Sequence, residues 1–303
     1  MMIDSQLILT SKNQKTGVSL YTFLLTYPRV ILAEVNTHRM LSRNTSSSRA
    51  IPSHKQRSRV QATPFVPITI GQNQKGMQAG KELEGWRRWA AIKVWEWSRY
   101  PMLASSWALD KLGAHKQVVN RIIEPWTWTQ QVVTATDLKN VFKLRNHPDA
   151  EPHFHALAAI MQDQVDYVER LFETVNFDCR ENGLPCALGP VNVEKKVIRV
   201  QMLREGDWHL PFIRPIEMGL PWDMLKPISV ARCARTSYVL PENGEWSTTN
   251  RDLELCSRLS SSGHWSPFEH VATPVADPGY IGNFRSWKQY RKEYAEEHGG
   301  DRG

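Results

Sequence analysis

The feature of this sequence that most constrains its fold is an apolar stripe of helical spacing between His153 and Phe172. The apolar positions recur three or four residues apart: Phe154, Leu157, Ala158, Met161, Val165, Val168 and Phe172. A helix with one apolar stripe is stable only when the stripe is buried against another layer of the protein. At 303 residues and 41% hydrophobic content, the chain can build a large core around it. We expect this helix to begin at Asp149 or Pro152.

Two further segments carry secondary-structure signals. Residues 19–35 are rich in Val, Ile, Leu, Tyr and Phe with Pro28 between two apolar runs, which predicts a strand, a turn and a second apolar element. Residues 81–97 have apolar side chains at helical spacing and charged ones between them, which predicts an amphipathic helix. Four of the twelve tryptophans fall within residues 86–97. We expect them to pack in the core rather than to form a platform for stacking bases.

Composition narrows the class of protein. No run approaches the roughly 18 apolar residues of a membrane helix, and the first residues lack the order of a signal peptide, so we expect a soluble cytoplasmic protein. The four cysteines form no C-x-x-C pair and have no histidine at zinc-site spacing, so we expect free thiols and no metal. The formal charge of +7 suits an anionic partner: a phosphate-bearing small molecule, a nucleic acid or a membrane surface.

Cationic residues cluster in one acid-free segment, residues 38–59. They are Arg39, Arg43, Arg49, Lys55, Arg57 and Arg59. Within residues 37–49, hydroxyl, amide and guanidinium groups together can donate many hydrogen bonds to a phosphate or a planar heterocycle. The structural alternative for this segment is a solvated basic loop.

Two other clusters combine polar and cationic groups. Lys143 and Arg145 precede the long helix, where Arg145 could face a ligand or lie on an ordinary surface. Residues 262–270, Ser-Gly-His-Trp-Ser-Pro-Phe-Glu-His, place two histidines around a Pro-Phe-Glu turn. Because no second cluster of ligands accompanies them, a hydrogen-bonded turn is the better interpretation than a metal site.

The first cluster resembles the signature of the flavin-dependent thymidylate synthase (ThyX) family, R-H-R-x-x-S-x-N-E-x-S-x-R. The matching positions are His38, Arg39, Ser42, Asn44, Ser47 and Arg49. Thr37 replaces the first Arg and Thr45 replaces the Glu. Residues 140–153 are similar to the family's F-x-x-L-R-x-x-x-x-A-Q-x-E-I element, with Glu151 in place of Gln and His153 in place of Glu.

The other two motifs match the family almost completely but in a changed order. Residues 234–238 resemble A-R-V-S-[FY], and residues 263–270 resemble G-H-x-[ST]-P-F-E-H. In the usual family member both precede R-H-R, whereas here they follow everything else. The resemblance therefore implies an α+β fold of the ThyX type, a mixed sheet with flanking helices, with its segments circularly permuted.

The permuted order implies one domain made of three segments. Residues 1–175 would form the ThyX-like core with the flavin and nucleotide loop and the helices. Residues 228–303 would be the permuted N-terminal segment that completes the same domain. Residues 176–227, with Gly, Pro and short apolar runs, predict a loop-rich connector. Residues 284–291 lie about where R-H-R would come in an unpermuted chain, and Arg285, Gln289 or Arg291 could still contribute to the pocket.

The resemblance also implies an activity. Members of the family reductively methylate dUMP at C5, with FAD as cofactor and NADPH and methylenetetrahydrofolate as co-substrates, and they need no cysteine nucleophile. For this chain it implies a thymidylate synthase-like methyltransferase acting on a deoxypyrimidine monophosphate. A homotetramer with shared active sites is expected, without a nucleic-acid or membrane partner.

Roles carry over from the family one position at a time. The implied cofactor-binding residues are His38, Arg39, Asn44, Ser237 and Ser266. The implied substrate-binding residues are Glu34, Ser47, Ser48, Arg49, Arg121 and Arg145. The catalytic candidates are Arg145 and His264. Arg145 would lie against the pyrimidine and polarise it as negative charge develops on the ring, and His264 would flank the flavin where folate enters.

Glu34 and Thr37 leave the nucleotide open, because the family usually has Gln and Arg at these positions. A carboxylate can accept a hydrogen bond from the exocyclic amine of cytosine, whereas uracil presents an oxygen there. The leading alternative is therefore a dCMP (or dUMP) methylase or hydroxymethylase of the same family. The basic segment and the abundant tryptophans motivate another alternative, an inactive nucleic-acid-binding relative.

Overall fold

A mixed six-stranded sheet lies at the centre of the computed structural model, which describes residues 2–174, 187–193, 196–236 and 247–294. Its strands follow the spatial order β3-β4-β2-β1-β6-β5. Their bounds are β1 (Asp4–Asn13), β2 (Ser19–Pro28), β3 (Ser42–Thr45), β4 (Trp128–Ala135), β5 (Ala187–Val193) and β6 (Lys196–Leu203). Neighbouring strands are antiparallel except for β1 and β6, which are parallel. The chain therefore leaves the sheet after β4 and returns to it beside β1.

Helices and short strand pairs surround this sheet in the described residues. The helices are α1 (Leu32–Val35), α2 (Ser53–Ala62), α3 (Gly85–Lys111), α4 (Lys116–Val119), α5 (Lys139–Arg145), α6 (Pro152–Thr174), α7 (Trp222–Arg235) and α8 (Thr249–Ser261). The pairs are β7 (Ala272–Pro274) with β10 (Trp287–Gln289), and β8 (Tyr280–Ile281) with β9 (Phe284–Arg285). The predicted strand, turn and apolar element of residues 19–35 correspond to β2, a 3₁₀ turn and α1.

The alternating side chains of β2 show that the sheet is buried on both faces. Phe23 and Leu25 belong to the cluster that packs against α6. Leu24, between them, packs instead with Phe212 and Cys233 from the second half of the chain. Because successive strand residues point to opposite faces, the sheet is enclosed between α6 on one side and the region around α7 on the other.

The predicted long helix is confirmed as α6, which buries its apolar stripe against the sheet. At its start, Glu151 Oε2 accepts a hydrogen bond of 2.8 Å from the backbone N–H of Phe154, one of the donors that a helix start leaves unsatisfied. Ser5 Oγ donates to Gln164 Oε1 at 2.8 Å, and Gln164 Nε2 donates to the Ser5 carbonyl at 2.9 Å. This reciprocal pair fixes α6 on β1.

A buried cation organises the layer on the other face. Arg232 of α7 is 1% exposed and forms two ion-pair contacts with Glu217, at 2.6 and 2.7 Å. Its Nε contacts Asp252 of α8 at 3.1 Å, and its NH1 donates to the Phe212 carbonyl at 2.9 Å. Burial alone would raise the pKa of Glu217, but hydrogen bonds from Arg232 and Arg214 lower it to about 2. The ion pairs join α7 to α8 and to the Pro215–Glu217 turn.

The architecture is the α+β arrangement expected from the sequence: a mixed sheet with flanking helices. The prediction of a loop-rich connector over residues 176–227 is wrong for residues 187–193 and 196–203, which form β5 and β6 of the central sheet. β6 is stabilised by pairing with β1, and β5 by pairing with β6, and local periodicity does not report such pairing. The three-segment division and the circular permutation remain predictions.

Helix α3 is longer than the predicted amphipathic helix and carries its tryptophans differently. Trp86, Trp89 and Trp97 are 76%, 61% and 62% exposed, so the expectation that they pack in the core is wrong. Trp95 does pack, beside Val60 of α2. The helix lies against α2 and the Arg121–Trp126 turn by one face, and none of the residues that the structure describes covers the opposite face. None of the described helices combines the length and apolar character that crossing a membrane requires.

Candidate functional site

Two of the family-like motifs meet where Arg145 contacts His38. Arg145 Nε donates to His38 Nε2 at 2.9 Å, and its NH2 group donates to Thr37 Oγ1 at 3.4 Å. Arg145 is the last residue of α5, and α5 packs on the start of α6. The guanidinium is also stacked 4.9 Å from the ring centroid of Phe154. The end of α5 therefore delivers a fixed cation to the loop that follows α1.

The imidazole of His38 is held neutral. Burial lowers its pKa, and the neighbouring charges of Arg145 and Arg43 lower it further. His38 as a whole is 8% exposed. Its ring packs edge-on against the ring of Phe154, with the two centroids 5.6 Å apart. A neutral imidazole can accept the Arg145 N–H at Nε2 and keep its other nitrogen as a donor. The pair is thus one cation beside one neutral ring.

Glu34 belongs to the same cluster. Its Oε2 lies 3.5 Å from Arg145 NH1, and its side chain is 43% exposed. The backbone carbonyl of Glu34 accepts from Thr37 Oγ1 at 2.6 Å, which closes the turn after α1. A carboxylate, a hydroxyl and a guanidinium, from Glu34, Thr37 and Arg145, are therefore in mutual contact on an accessible surface.

Arg43 shapes the loop that presents His38 and Arg39. Its NH1 donates to the carbonyls of Asn36 and His38, at 2.7 and 3.3 Å. These bonds satisfy carbonyls at the end of α1, which a short helix leaves without intrahelical partners. Arg39 itself is exposed, so its guanidinium is available to a ligand.

The 234–238 motif meets the first motif through Asn44. Asn44 Nδ2 donates to the Cys233 carbonyl at 2.6 Å and lies 3.5 Å from Thr236 Oγ1. Thr236 Oγ1 in turn donates to the Cys233 carbonyl at 2.6 Å. Asn44 on β3 therefore anchors the end of α7. Ser237, which was expected to bind the cofactor, lies outside the described residues.

The 263–270 motif meets the first motif through Gln289. Gln289 Nε2 donates to Ser42 Oγ at 2.9 Å and to the Glu269 carbonyl at 3.3 Å. Arg291 forms an ion pair with the Glu269 carboxylate. The 284–291 element thus contributes two side chains that hold the Ser266–His270 turn against β3. Arg285 is exposed.

His264 and Ser266 stand at the surface of that turn. Both are exposed, and His264 Nδ1 lies 3.1 Å from Ser262 Oγ. Gly263 has φ of +69°, a left-handed conformation that suits glycine, and it allows the chain to turn sharply between α8 and His264. The turn therefore presents one imidazole and one hydroxyl to solvent.

The implied phosphate-binding residues gather around Asn120. Asn120 Nδ2 donates to the carbonyls of Ser48 and Ile51, at 2.7 and 2.9 Å. The N–H of Arg49 is held by Ser47 Oγ at 3.3 Å, and the Arg49 side chain is exposed. The structure thus places the 47–49 turn next to the residue that precedes Arg121.

A cavity of about 520 Å³ lies beside Arg121. Arg29 and Asn36 also line it. Glu124 pairs with both arginines, at 3.1 Å to Arg29 Nε and 3.2 Å to Arg121 NH1, which neutralises part of their charge. Arg29 NH1 donates to the Ser46 carbonyl at 3.2 Å, so the cavity and the 47–49 turn share a wall.

Glu34 and Arg145 do not belong to this cavity. Leu32, Ala33 and Asn36 line it, while Glu34 of the same short helix directs its carboxylate at Arg145. Residues at these spacings project from different sides of a helix. Within one chain, α1 therefore separates the Arg121 cavity from the Arg145–His38 pair.

A chain of buried hydrogen bonds crosses the sheet beneath the 263–270 motif. It joins Gln201, Ser11, His209, Thr22, Thr134 and His270. Successive polar atoms are 2.6 to 2.9 Å apart. Burial lowers the pKa of His209 well below its ordinary value and that of His270 to about 3, so both rings are neutral. The last histidine of the motif is thus a structural residue, and its Nε2 has no hydrogen-bond partner among the described residues.

Three contributions to the site were not found from the sequence. Arg29 follows β2 directly, and an arginine at the end of a predicted strand was a usable signal. The anchoring role of the Cys233 carbonyl leaves no trace in side-chain identity. Thr134 is an ordinary strand former in an apolar run, so its part in the buried chain of hydrogen bonds was equally invisible.

No protein-family model and no curated protein matches the chain. Among solved structures it is similar to the UMP/dUMP methylase PolB from Streptomyces cacaoi bound with 5-Br UMP, at 15% identity and a TM-score of 0.42, over 51% of this chain and 70% of that one. The same enzyme bound with 5-Br dUMP is 16% identical, with a TM-score of 0.39 over 49% of this chain and 67% of that one. The flavin-dependent thymidylate synthase ThyX from Helicobacter pylori, complexed with FAD and dUMP, is 16% identical, with a TM-score of 0.34 over 52% of this chain and 72% of that one.

Proposed function

We propose that this chain is a flavin-dependent enzyme that reductively methylates dUMP at C5, with methylenetetrahydrofolate and NADPH as co-substrates. The observation that carries the proposal is the convergence of the four motifs. Arg145 contacts His38, Asn44 contacts the end of α7, and Gln289 joins Ser42 to the 263–270 turn. These contacts bring motifs scattered from residue 37 to residue 270 together around β3 and the loop before it, at one edge of the sheet.

The side chains at this convergence suit a flavin nucleotide. Arg39 offers an exposed guanidinium to a pyrophosphate, and Ser266 offers an exposed hydroxyl. His38 offers a neutral imidazole, while the Asn44 amide nitrogen is already committed to Cys233. Asn44 therefore shapes the site through the α7 end. When bound, FAD would supply the reducing equivalents that convert the transferred carbon into a methyl group.

Arg145 is the residue that we propose acts on the pyrimidine. Its position is set by hydrogen bonds to His38 and Thr37 and by the ring of Phe154. A guanidinium held in place before reaction stabilises negative charge on a pyrimidine oxygen more effectively than a mobile one. Because His38 is neutral, it adds no positive charge of its own beside this cation.

The phosphate of the nucleotide would be bound by the second group of cations. Arg121, Arg29 and the 47–49 turn provide guanidinium, hydroxyl and backbone donors around the cavity. Because α1 separates this group from Arg145 within one chain, we propose that each active site combines residues of different subunits. A homotetramer with shared sites fits this separation.

A second candidate function, action on dCMP, is favoured by the placement of Glu34. Its carboxylate lies on Arg145, the residue proposed to face the pyrimidine. A carboxylate there can accept a hydrogen bond from the exocyclic amine of cytosine, a group that uracil lacks. The product could then carry a methyl or a hydroxymethyl group, depending on whether reducing equivalents or water reach the transferred carbon first.

One preparation tests the proposed function and its alternatives. The purified protein should be yellow, or become so when FAD is added, because oxidised flavin absorbs visible light. It is then given dUMP and dCMP separately, with NADPH and methylenetetrahydrofolate, and products are identified by mass. Turnover of dUMP to dTMP supports the proposal, and turnover of dCMP alone supports the second candidate. A colourless protein that FAD does not reconstitute would instead identify an inactive binding relative.

A further inference from the structure

Helix α3 has two faces of opposite character. On one face Trp95, Met102 and Leu103 pack against α2 and the Arg121–Trp126 turn, and Trp95 Nε1 donates to the Phe65 carbonyl at 2.9 Å. The opposite face exposes aromatic side chains: Trp86, Trp89, Trp97, Tyr100 and Trp107. Single exposed apolar residues are ordinary, but a continuous aromatic stripe on a 27-residue helix is not.

Four of the five exposed aromatic side chains fall in two rows of positions spaced seven residues apart. One row, at intervals of seven, is Trp86, Lys93, Tyr100 and Trp107. The neighbouring row, at the same intervals, is Ala90, Trp97, Ala104 and Lys111. Seven residues make almost two turns, so each row stays on one side of the helix, as in helices that pair with another helix. In chain order the two rows read Trp, Ala, Lys, Trp, Tyr, Ala, Trp and Lys, so Ala90 and Ala104 leave spaces between larger side chains.

This pattern is complementary to itself in the antiparallel direction. If a two-fold axis passes between Ser98 and Arg99, Trp97 faces the partner's Tyr100. Ala90 then faces the partner's Trp107, so a large side chain meets a small one. At the ends, Trp86 faces the partner's Lys111, a cation beside an aromatic ring.

The area is sufficient for a stable interface. Aromatic side chains bury roughly 150–250 Å² each, and those of the stripe are at least half exposed. Five of them present on the order of 600 Å² per copy, or about 1,200 Å² for two copies. Specific interfaces exceed about 1,000 Å², whereas crystal-type contacts usually do not.

The charges of the stripe do not suit a polyanion or a membrane. The cations in or beside it are Lys93, Arg99 and Lys111. Lys93 is paired with Glu96 at 2.6 Å, and Arg99 donates to the Glu96 carbonyl at 2.8 Å and stacks 4.5 Å from the Tyr100 ring centroid. Nucleic-acid grooves need free cations along the backbone path. A membrane-surface helix turns a charged face to water, whereas the second face of α3 is packed into the protein.

We propose that α3 is a self-association surface on which two copies of this chain pair antiparallel, centred on Trp97 and Tyr100. The pairing does not depend on the proposed enzyme activity, and it can be measured without substrate or flavin. It names the segment that joins two copies.

The first test compares masses in solution by sedimentation velocity. The wild-type chain should sediment as an even multiple of its mass, and Trp97→Glu with Tyr100→Glu should halve it while circular dichroism keeps its helical content. Ile216→Glu, at an 88% exposed site far along the chain, is the matched control and should leave the mass unchanged. A monomeric wild type, or a double variant with wild-type mass, overturns the proposal.

The second test distinguishes the direction of pairing by oxidation to disulfides. In a Cys179→Ser, Cys186→Ser background, Ala90→Cys chains and Trp107→Cys chains are expressed together or alone. Antiparallel pairing links the two kinds only when they are together, whereas self-linking of either alone overturns it. If Trp97→Glu abolishes binding to single-stranded DNA or to anionic vesicles and the mass stays that of a monomer, the stripe serves that other partner.

Discussion

Arg145 Nε donates to His38 Nε2 at 2.9 Å, although 107 residues separate the two in sequence. The neutral imidazole serves as the acceptor because burial and nearby arginines disfavour its protonated form. The guanidinium is consequently oriented by a group that adds no charge of its own. A positioned cation of this kind is costly to replace.

We expect Arg145→Lys to lower kcat/KM for the accepted nucleotide by about 10²-fold or more, because lysine keeps the charge but loses the planar fork. Flavin content should remain near that of the wild type. Steady-state kinetics with a flavin-to-protein ratio measures both. Arg170→Lys, exposed on α6, is the matched control. Wild-type kcat/KM in Arg145→Lys would place the reacting ring elsewhere.

Asn44 should respond differently to two small changes. Asn44→Ala removes the hydrogen bond to the Cys233 carbonyl together with the other contacts of the amide, whereas Asn44→Asp also turns a carboxylate oxygen toward that carbonyl. We expect the Asp variant to lose more bound flavin and more thermal stability than the Ala variant. Absorbance ratios and thermal midpoints report the two effects. Asn146→Asp, at a partly exposed bond to Gln162, should change neither strongly, and equal losses in both Asn44 variants would contradict the anchoring role.

The Arg232 network should dominate the stability of the α7 and α8 layer. Arg232→Met removes the fully buried cation from Glu217 and Asp252 and leaves them only the more exposed Arg214 and Arg235, and removing one partner of a buried pair costs about 3–5 kcal/mol. Arg214, whose side chain is 38% exposed, contacts the same Glu217, and Arg214→Ala should cost about 1 kcal/mol or less. Guanidinium unfolding of both variants measures the difference. A similar loss in the two would mean that the buried pairing is not special.

Acid should destabilise the protein through its buried histidines before its carboxylates titrate. His209 and His270 have folded pKa values below the ordinary 6.5, so the unfolded state binds more protons as the pH falls through 6.5. The free energy of unfolding should then fall by up to about 1.4 kcal/mol per pH unit for each histidine. Glu217, whose pKa is lowered from an ordinary 4.5, adds its loss only at more acidic pH.

Unfolding curves at pH 7.5, 6.5 and about 5 isolate this histidine window. His147→Gln, at an exposed position, is the control and should leave the slope unchanged. A free energy of unfolding that is constant over the window would mean that the buried rings are protonated without cost.

Much of the fold was visible in the sequence where a single element carries its own signal. The stripe of α6 is confirmed because its seven apolar positions all face one layer. β6 was missed because it is stabilised by pairing with β1, far away in sequence, and β5 because it depends in turn on pairing with β6. The exposed face of α3 was misjudged for a related reason: periodicity shows that a face must be covered, but not what covers it.

The candidate site was predictable as a set of residues but not as an arrangement. The motifs named Arg145, His38 and Asn44, yet spacing in the chain does not specify that the first two touch while the third holds a helix end. The separation of Arg121 from Arg145 by α1 is likewise a property of the folded chain. Side-chain identity suggests chemistry, and the sheet decides which groups share a pocket.

In the chain of buried hydrogen bonds from Gln201 to His270, each group donates toward His270. Gln201 Nε2 can only donate, so the Ser11 hydroxyl accepts from it and donates its own hydrogen bond to His209 Nδ1. The same logic runs through Thr22 and Thr134 to His270 Nδ1, which leaves the proton of that ring on Nε2. The side-chain amide of Gln201 on β6 thereby selects the tautomer of His270, which lies three strands away beside β4.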